Sequence, residues 1–160
     1  MTVSTHLWSD AARHAGPLLA AIAAARAREP RSSLDVAGGW SGSKNLQADP
    51  RVHPLRDWLA ALLPDGTWEL ALWGKVYSRL DGVRAHDHAK SHRGGLNTHA
   101  GVYWLYVPPG SQPLQFPDLE IMVVPAAGTV CLFDALDVHE VAAHRGAEQR
   151  VSIGFNVRAI

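Results

Sequence analysis

Cysteine is almost missing from this chain. Cys131 is the single one in 160 residues, so no internal disulfide can brace the fold. Neither sign of charge is in excess, because 15 Lys and Arg balance 15 Asp and Glu. No long basic run appears, which argues against nucleic acid or an anionic membrane as a partner through bulk electrostatics. No apolar run is long enough to cross a bilayer: the alanine-rich stretch from Leu18 to Ala27 is too short and is soon interrupted by Arg26 and Arg28. From Met1 to Ala11 there is no positive segment followed by an apolar one, so no secretory signal is read and a cytoplasmic protein is expected. Internal repeats are absent, and low complexity is confined to those alanines. What remains is an ordinary globular composition, 47% hydrophobic, in a length that suits one domain with a sizeable core.

The hydrophobic period changes once along the chain. Leu18, Leu19, Ile22, Ala23 and Ala25 recur at helical spacing after Gly16-Pro17, a pair that reads as a helix start, and Glu29-Pro30 stops the run. A Ser- and Gly-rich loop follows. A second helix is expected from Pro54 to Leu63, with Leu55, Trp58, Leu59 and Leu62 on one face, and Pro64-Asp65-Gly66 ends it. From Thr67 the period becomes that of strands, expected at Thr67–Ser78, Val83–His88, Gly101–Val107, Leu114–Phe116, Glu120–Val124, Thr129–Phe133, His139–Val141 and Arg150–Arg158. Short strands with regular turn signals indicate a sandwich or barrel. The expected fold is mainly β, a double-stranded β-helix (a cupin-like jelly roll) with two N-terminal helices packed on it. It forms a single domain over 1–160, with a helical front over 1–65 and a β core over 66–160.

Two groups of residues carry chemistry. His86 and His88 lie two apart on an expected strand, so their imidazoles point to one face. His139 opens a later strand and can supply a third nitrogen. Neutral imidazole is a common donor to transition metals, and three protein ligands leave positions open. The competing readings are a surface pair for His86 and His88 and a hydrogen-bonded core residue for His139. The second group is Arg150-Val151-Ser152, on the last strand. Arg150 and Ser152 share a face, and a guanidinium offers a two-pronged donor matched to a carboxylate. Such a contact, when desolvated, contributes about 1.5–3 kcal/mol per hydrogen bond. The competing reading of Arg150 is a surface strand residue. An H-x-H pair, a distal histidine and Arg-x-Ser, in that order, form the strongest signal in the chain.

These residues resemble the 2-oxoglutarate/Fe(II) oxygenase superfamily, and more narrowly its small bacterial members. The resemblance runs through Gly38-Gly39-Trp40-Ser41, His86-Asp87-His88, Gly101-Val102-Tyr103-Trp104, Gly128 to Phe133 with His139, and Arg150-Val151-Ser152-Ile153-Gly154-Phe155-Asn156. It covers the chain from Gly38 onward, and its C-terminal motif is the most specific part. The resemblance implies Fe(II) held by His86, His88 and His139, with 2-oxoglutarate as cosubstrate. It also implies that the far carboxylate of the cosubstrate meets Arg150 and Ser152, and that the products are succinate and a hydroxylated molecule. In the superfamily a carboxylate usually occupies the place of His88. A histidine there leaves the iron site one negative charge poorer, with Asp87 as the alternative ligand if a bulge re-aims it.

Further expectations concern supporting residues. Tyr77 is placed to hydrogen-bond the cosubstrate carboxylate. Arg84, Lys90, His92, Arg93, Asn97 and His99 are candidates for reading a polar or anionic substrate. Tyr103 and Trp104 point to opposite faces, one lining the barrel and the other packing outside, and Trp40 is read as core. The segment from Ala89 to His99 is longer than a simple connection and is read as a lid, a substrate-reading loop or a solvated hairpin tip. The expected partners are a small-molecule substrate and O₂, with a homodimer as the oligomeric option and with neither nucleic acid nor membrane. Two other classes stay open. One is a three-histidine cupin-type dioxygenase or isomerase that does not use 2-oxoglutarate. The other is a metal-dependent binding jelly roll without turnover.

Overall fold

Period-two alternation from residue 68 onward becomes two antiparallel sheets in the computed structural model, which describes residues 2–31, 39–91 and 94–160. In chain order the elements are β1 (Ser4–Leu7), α1 (Ala11–Arg28), β2 (Trp40–Ser41), α2 (His53–Ala61), β3 (Trp68–Tyr77), β4 (Val83–His86) and β5 (His99–Tyr106). There follow β6 (Leu114–Phe116), β7 (Ile121–Val123), β8 (Thr129–Asp134), β9 (His139–Val141) and β10 (Arg150–Ala159). The major sheet has the order β1-β8-β5-β10-β3-β2 and the minor sheet β4-β9-β6-β7. Two sheets built from such non-sequential neighbours make the expected jelly roll.

Three expectations are corrected. The first helix begins at Ala11, and Pro17 lies inside it. Proline there removes the bond to the Arg13 carbonyl, but the buried residues Leu18, Ala21 and Ile22 all follow it, so packing anchors the helix beyond the defect. The front third also contributes β1 and β2, which add to opposite edges of the major sheet. Finally, β4 ends at His86, so His88 lies beyond the strand.

The major sheet is buried on both faces. Leu70, Leu72, Val76, Ile153, Phe155 and Val157 turn to one side, where they join Leu18, Ile22, Leu55 and Leu59 of the helices. Tyr103 lies in this layer against Trp8 and Trp58. Trp40 also packs there, its indole N–H donating to the Glu29 carbonyl at 2.7 Å. Trp104, Cys131 and Phe133 turn the other way and pack with Leu114, Phe116 and Val141 of the minor sheet. The thiol of Cys131 is pushed up to about 12 by burial. Gly39 takes φ +75, and a Cβ there would lie 2.7 Å from the Val76 carbonyl, so the approach to β2 requires glycine. No helix among the described residues is long and apolar enough to cross a membrane.

Two outcomes follow from this packing. Leu72→Ala, at a fully buried site, is expected to lower stability by about 2–5 kcal/mol in urea unfolding. Cys131 is expected to resist alkylation in the native protein and to react once the protein is unfolded.

Candidate metal centre

His86 and His139 are opposite one another across β4 and β9. Each ring is fixed by its own chain: Nδ1 of His86 lies 2.7 Å from the Arg84 carbonyl, and Nδ1 of His139 lies 2.9 Å from the Asp137 carbonyl. A carbonyl can only accept, so both Nδ1 atoms carry the proton and both Nε2 atoms present a lone pair. His88 comes from the segment after β4. Its backbone N–H donates to the Ala135 carbonyl at 2.8 Å, and its carbonyl accepts from the Asn97 side-chain amide at 2.7 Å. Nε2 of His88 is 3.2 Å from Nε2 of His139. The ligand atoms of all three histidines lie within 4.8 Å of one another.

This donor set fits a transition metal. Neighbouring nitrogens bound to one ion at about 2.0–2.1 Å stand about 3 Å apart in octahedral geometry, close to the His88–His139 spacing. Burial is the first cause that lowers the proton affinity of each ring. His88 is pushed down to about 2 and His139 to about 4, with the neighbouring imidazoles adding repulsion. His86 is lowered in the same way. Neutral imidazoles are the form a metal needs. Phe133 and Phe116 pack on the His139 ring at centroid distances of 4.6 and 5.8 Å and hold it in place.

The three histidines open on a cavity of about 60 Å³ between the sheets, several times what one water needs. Its other polar lining comes from β3 and β10: Lys75, Tyr77 and Arg150. Arg150 is 2% exposed, donates through Nη1 to the Gln112 carbonyl at 2.8 Å, and has a buried Nε without a partner. Its guanidinium lies 5.3 Å from the centre of the Tyr77 ring. Burial lowers its proton affinity and raises that of Tyr77. Ser152 is buried beside Lys75 in the register and is not among the lining residues. No Asp or Glu lines the cavity. Trp73 and Gly154 form part of the wall, and a Cβ at Gly154 would lie 2.5 Å from the Trp73 indole.

The remaining candidates are placed elsewhere. Asp87 is exposed and accepts the Ala89 N–H at 3.0 Å, outside the histidine cluster. Arg84 and Lys90 are exposed and do not line the cavity. Asn97 is turned to the His88 and Lys90 carbonyls, which makes it a support for the third histidine rather than a lining residue. His99 packs edge-on against Trp68, and Tyr103 faces the helices. Trp104 faces the inner side but is buried in the core between the sheets and is not a lining residue. Gly38, His92 and Arg93 lie outside the described residues. Lys75, Trp73 and Lys44, whose amine stands 4.9 Å above the Trp73 ring, were not read from the sequence. Lys75 shared the inner face with Tyr77 by simple alternation, which was the available signal.

No protein-family model matches the chain, and no curated protein sequence does. Solved structures match over its whole length. The viral collagen prolyl hydroxylase of Paramecium bursaria Chlorella virus-1, in complex with 2-oxoglutarate, superposes with a TM-score of 0.78 at 12% identity, over 100% of this chain and 97% of that one. A Pseudomonas putida prolyl-4-hydroxylase gives 0.73 at 19% identity, over 99% and 92%. SnoK, the α-ketoglutarate-dependent carbocyclase of nogalamycin biosynthesis, gives 0.78 at 15%, over 97% and 78%. The fold is that of the 2-oxoglutarate/Fe(II) oxygenases. Prolyl hydroxylation and carbocyclisation differ as reactions, so the shared fold does not carry a substrate with it.

Metal binding by calorimetry is expected to separate the two ligand readings. His88→Ala should lose most of the affinity for Fe(II) or Ni(II), and Asp87→Ala should keep it. Asn97→Ala, which frees the His88 backbone, should weaken binding by about 10–100-fold.

Proposed function

We propose that the protein is a non-haem Fe(II)/2-oxoglutarate-dependent oxygenase that hydroxylates or otherwise oxidises a small polar molecule. The observation that carries this reading is the meeting, in one cavity without acidic lining, of three convergent imidazoles and a buried arginine with an unpartnered N–H. In this reading His86, His88 and His139 hold the iron. Arg150 holds the far carboxylate of 2-oxoglutarate and the Tyr77 phenol adds a hydrogen bond, while Ser152, on the same face but outside the cavity lining, is not needed for that contact. Several structures of the same fold are described as 2-oxoglutarate complexes or 2-oxoglutarate-dependent enzymes, which supports the choice of cosubstrate.

Iron(II), when bound, supplies the redox chemistry. Oxidation of 2-oxoglutarate to succinate and CO₂ supplies two of the four electrons O₂ accepts, and oxidation of the substrate C–H to C–OH supplies the other two. The protein's part is to position and to exclude water. The Nδ1 hydrogen bonds of His86 and His139 fix ring orientation, Arg150 sets the direction in which the dicarboxylate enters, and the apolar walls keep the cavity dry.

The test is anaerobic addition of 2-oxoglutarate to the Fe(II)-loaded protein. A visible metal-to-ligand charge-transfer band is expected, accompanied by succinate release once O₂ and a substrate are present. Arg150→Ala should weaken the 2-oxoglutarate dependence of the band by about tenfold or more, the worth of one charge-assisted hydrogen bond. Iron binding without a band would remove 2-oxoglutarate from the assignment. The three-histidine dioxygenase reading, which the histidine at position 88 favours, would then take its place.

A further inference from the structure

Lys75 has no role in the reading above, yet it is among the most confined cations in the molecule. It is 9% exposed, on a strand buried along both faces, and it lines the same cavity as Arg150. Its amine lies 5.0 Å from the centre of the Tyr77 ring, whose other cationic neighbour is the Arg150 guanidinium at 5.3 Å. Among the described residues neither cation forms an ion pair, and no carboxylate lines the cavity. The register explains the cluster: Tyr77 is opposite Arg150 and Lys75 is opposite Ser152, so all four side chains share the inner face of β3 and β10.

Burial and the neighbouring Arg150 guanidinium push the Lys75 amine down to about 7, so in the empty cavity its charged form is held at a cost in desolvation and repulsion. An apolar residue would fill the same strand position without that cost. A ligand anion that reaches both groups would supply the partner the cavity lining does not, and would favour the charged amine.

We propose that Lys75 is a second cationic anchor for the distal carboxylate of the cosubstrate, so that this carboxylate sits between the Lys75 ammonium and the Arg150 guanidinium beside Tyr77. The inference rests on the oxygenase reading and extends it. A dicarboxylate 2-oxo acid is required, and a 2-oxo acid lacking the second carboxylate gains nothing from Lys75. The arrangement also makes the cavity selective by charge, since a neutral chain at the distal end would leave two cations unpaired.

Lys75→Met, which keeps the length of the side chain and removes its charge, tests this in two ways. On the Fe(II)-loaded protein under anaerobic conditions, the charge-transfer band is titrated with 2-oxoglutarate and, separately, with 2-oxobutyrate. Weakening of 2-oxoglutarate binding by about 10–100-fold is expected, the range of a charge-assisted hydrogen bond, with 2-oxobutyrate binding unchanged. In the metal-free protein, the melting temperature of Lys75→Met is expected to equal or exceed that of the wild type, which shows that the variant folds and that the lysine is kept at a cost. Equal loss with both acids would overturn the proposal by placing Lys75 at the chelating end of the ligand. Unchanged 2-oxoglutarate binding in Lys75→Met would overturn it while leaving the oxygenase reading intact. A wild-type protein that binds iron but gives no band would defeat the oxygenase reading itself, and this inference with it. If Lys75→Met melts below the wild type, Lys75→Gln serves for the titration, with the same outcomes deciding.

Discussion

Strand β10 is hydrogen-bonded along both edges, to β3 on one side and β5 on the other. Its odd residues, Val151 to Val157, pack under the helices, and its even residues, Arg150, Ser152 and Gly154, face the opposite side. A slip of one residue would send the guanidinium into the helical layer and Phe155 into the cavity. Register here is therefore enforced by the large apolar core on the far side of the sheet. The site inherits its geometry from packing in which it takes no part.

The electrostatics of the cavity follow from what is left out. Its three imidazoles are kept neutral by burial, and its two lining cations have no acidic neighbour. A site of three histidines carries one negative charge fewer than a site of two histidines and a carboxylate, and so has more positive charge to satisfy. Lys75 increases that excess. Charge balance then falls to anions that enter the cavity.

Much of this was legible in the sequence because strand alternation is a strict rule. The split of Tyr103 from Trp104 and the shared face of Arg150 and Ser152 both depend on it. Other features were not legible, for identifiable reasons. β1 and β2 have four and two residues, too few for a period to show. Pro17 carries a helix-start signal, but tertiary packing after it outweighs the lost hydrogen bond. His88 reaches the cluster from beyond its strand, through backbone bonds to Ala135 and Asn97 that only the folded chain reveals. Lys75 departs from the usual exposure of lysine, although its neighbours on both faces of the strand announce a buried position. The substrate candidates between Arg84 and His99 are near the histidines in sequence, which does not fix where their side chains point. Those that are described turn to solvent, to backbone or to the opposite face of the sheet.

Gly154 sets the size of the chamber by having no side chain. The Trp73 indole occupies the place a methyl group would take, with its five-membered ring edge and Nε1 at 2.5 and 2.9 Å from that position. Any larger residue would have to displace the indole, whose ring lies 5.8 Å from that of His88. The void is thus carved out by one hydrogen atom on a backbone carbon. A change of a single methyl group at that point could turn a chamber for a ligand into solid core while leaving every polar residue of the site in the chain.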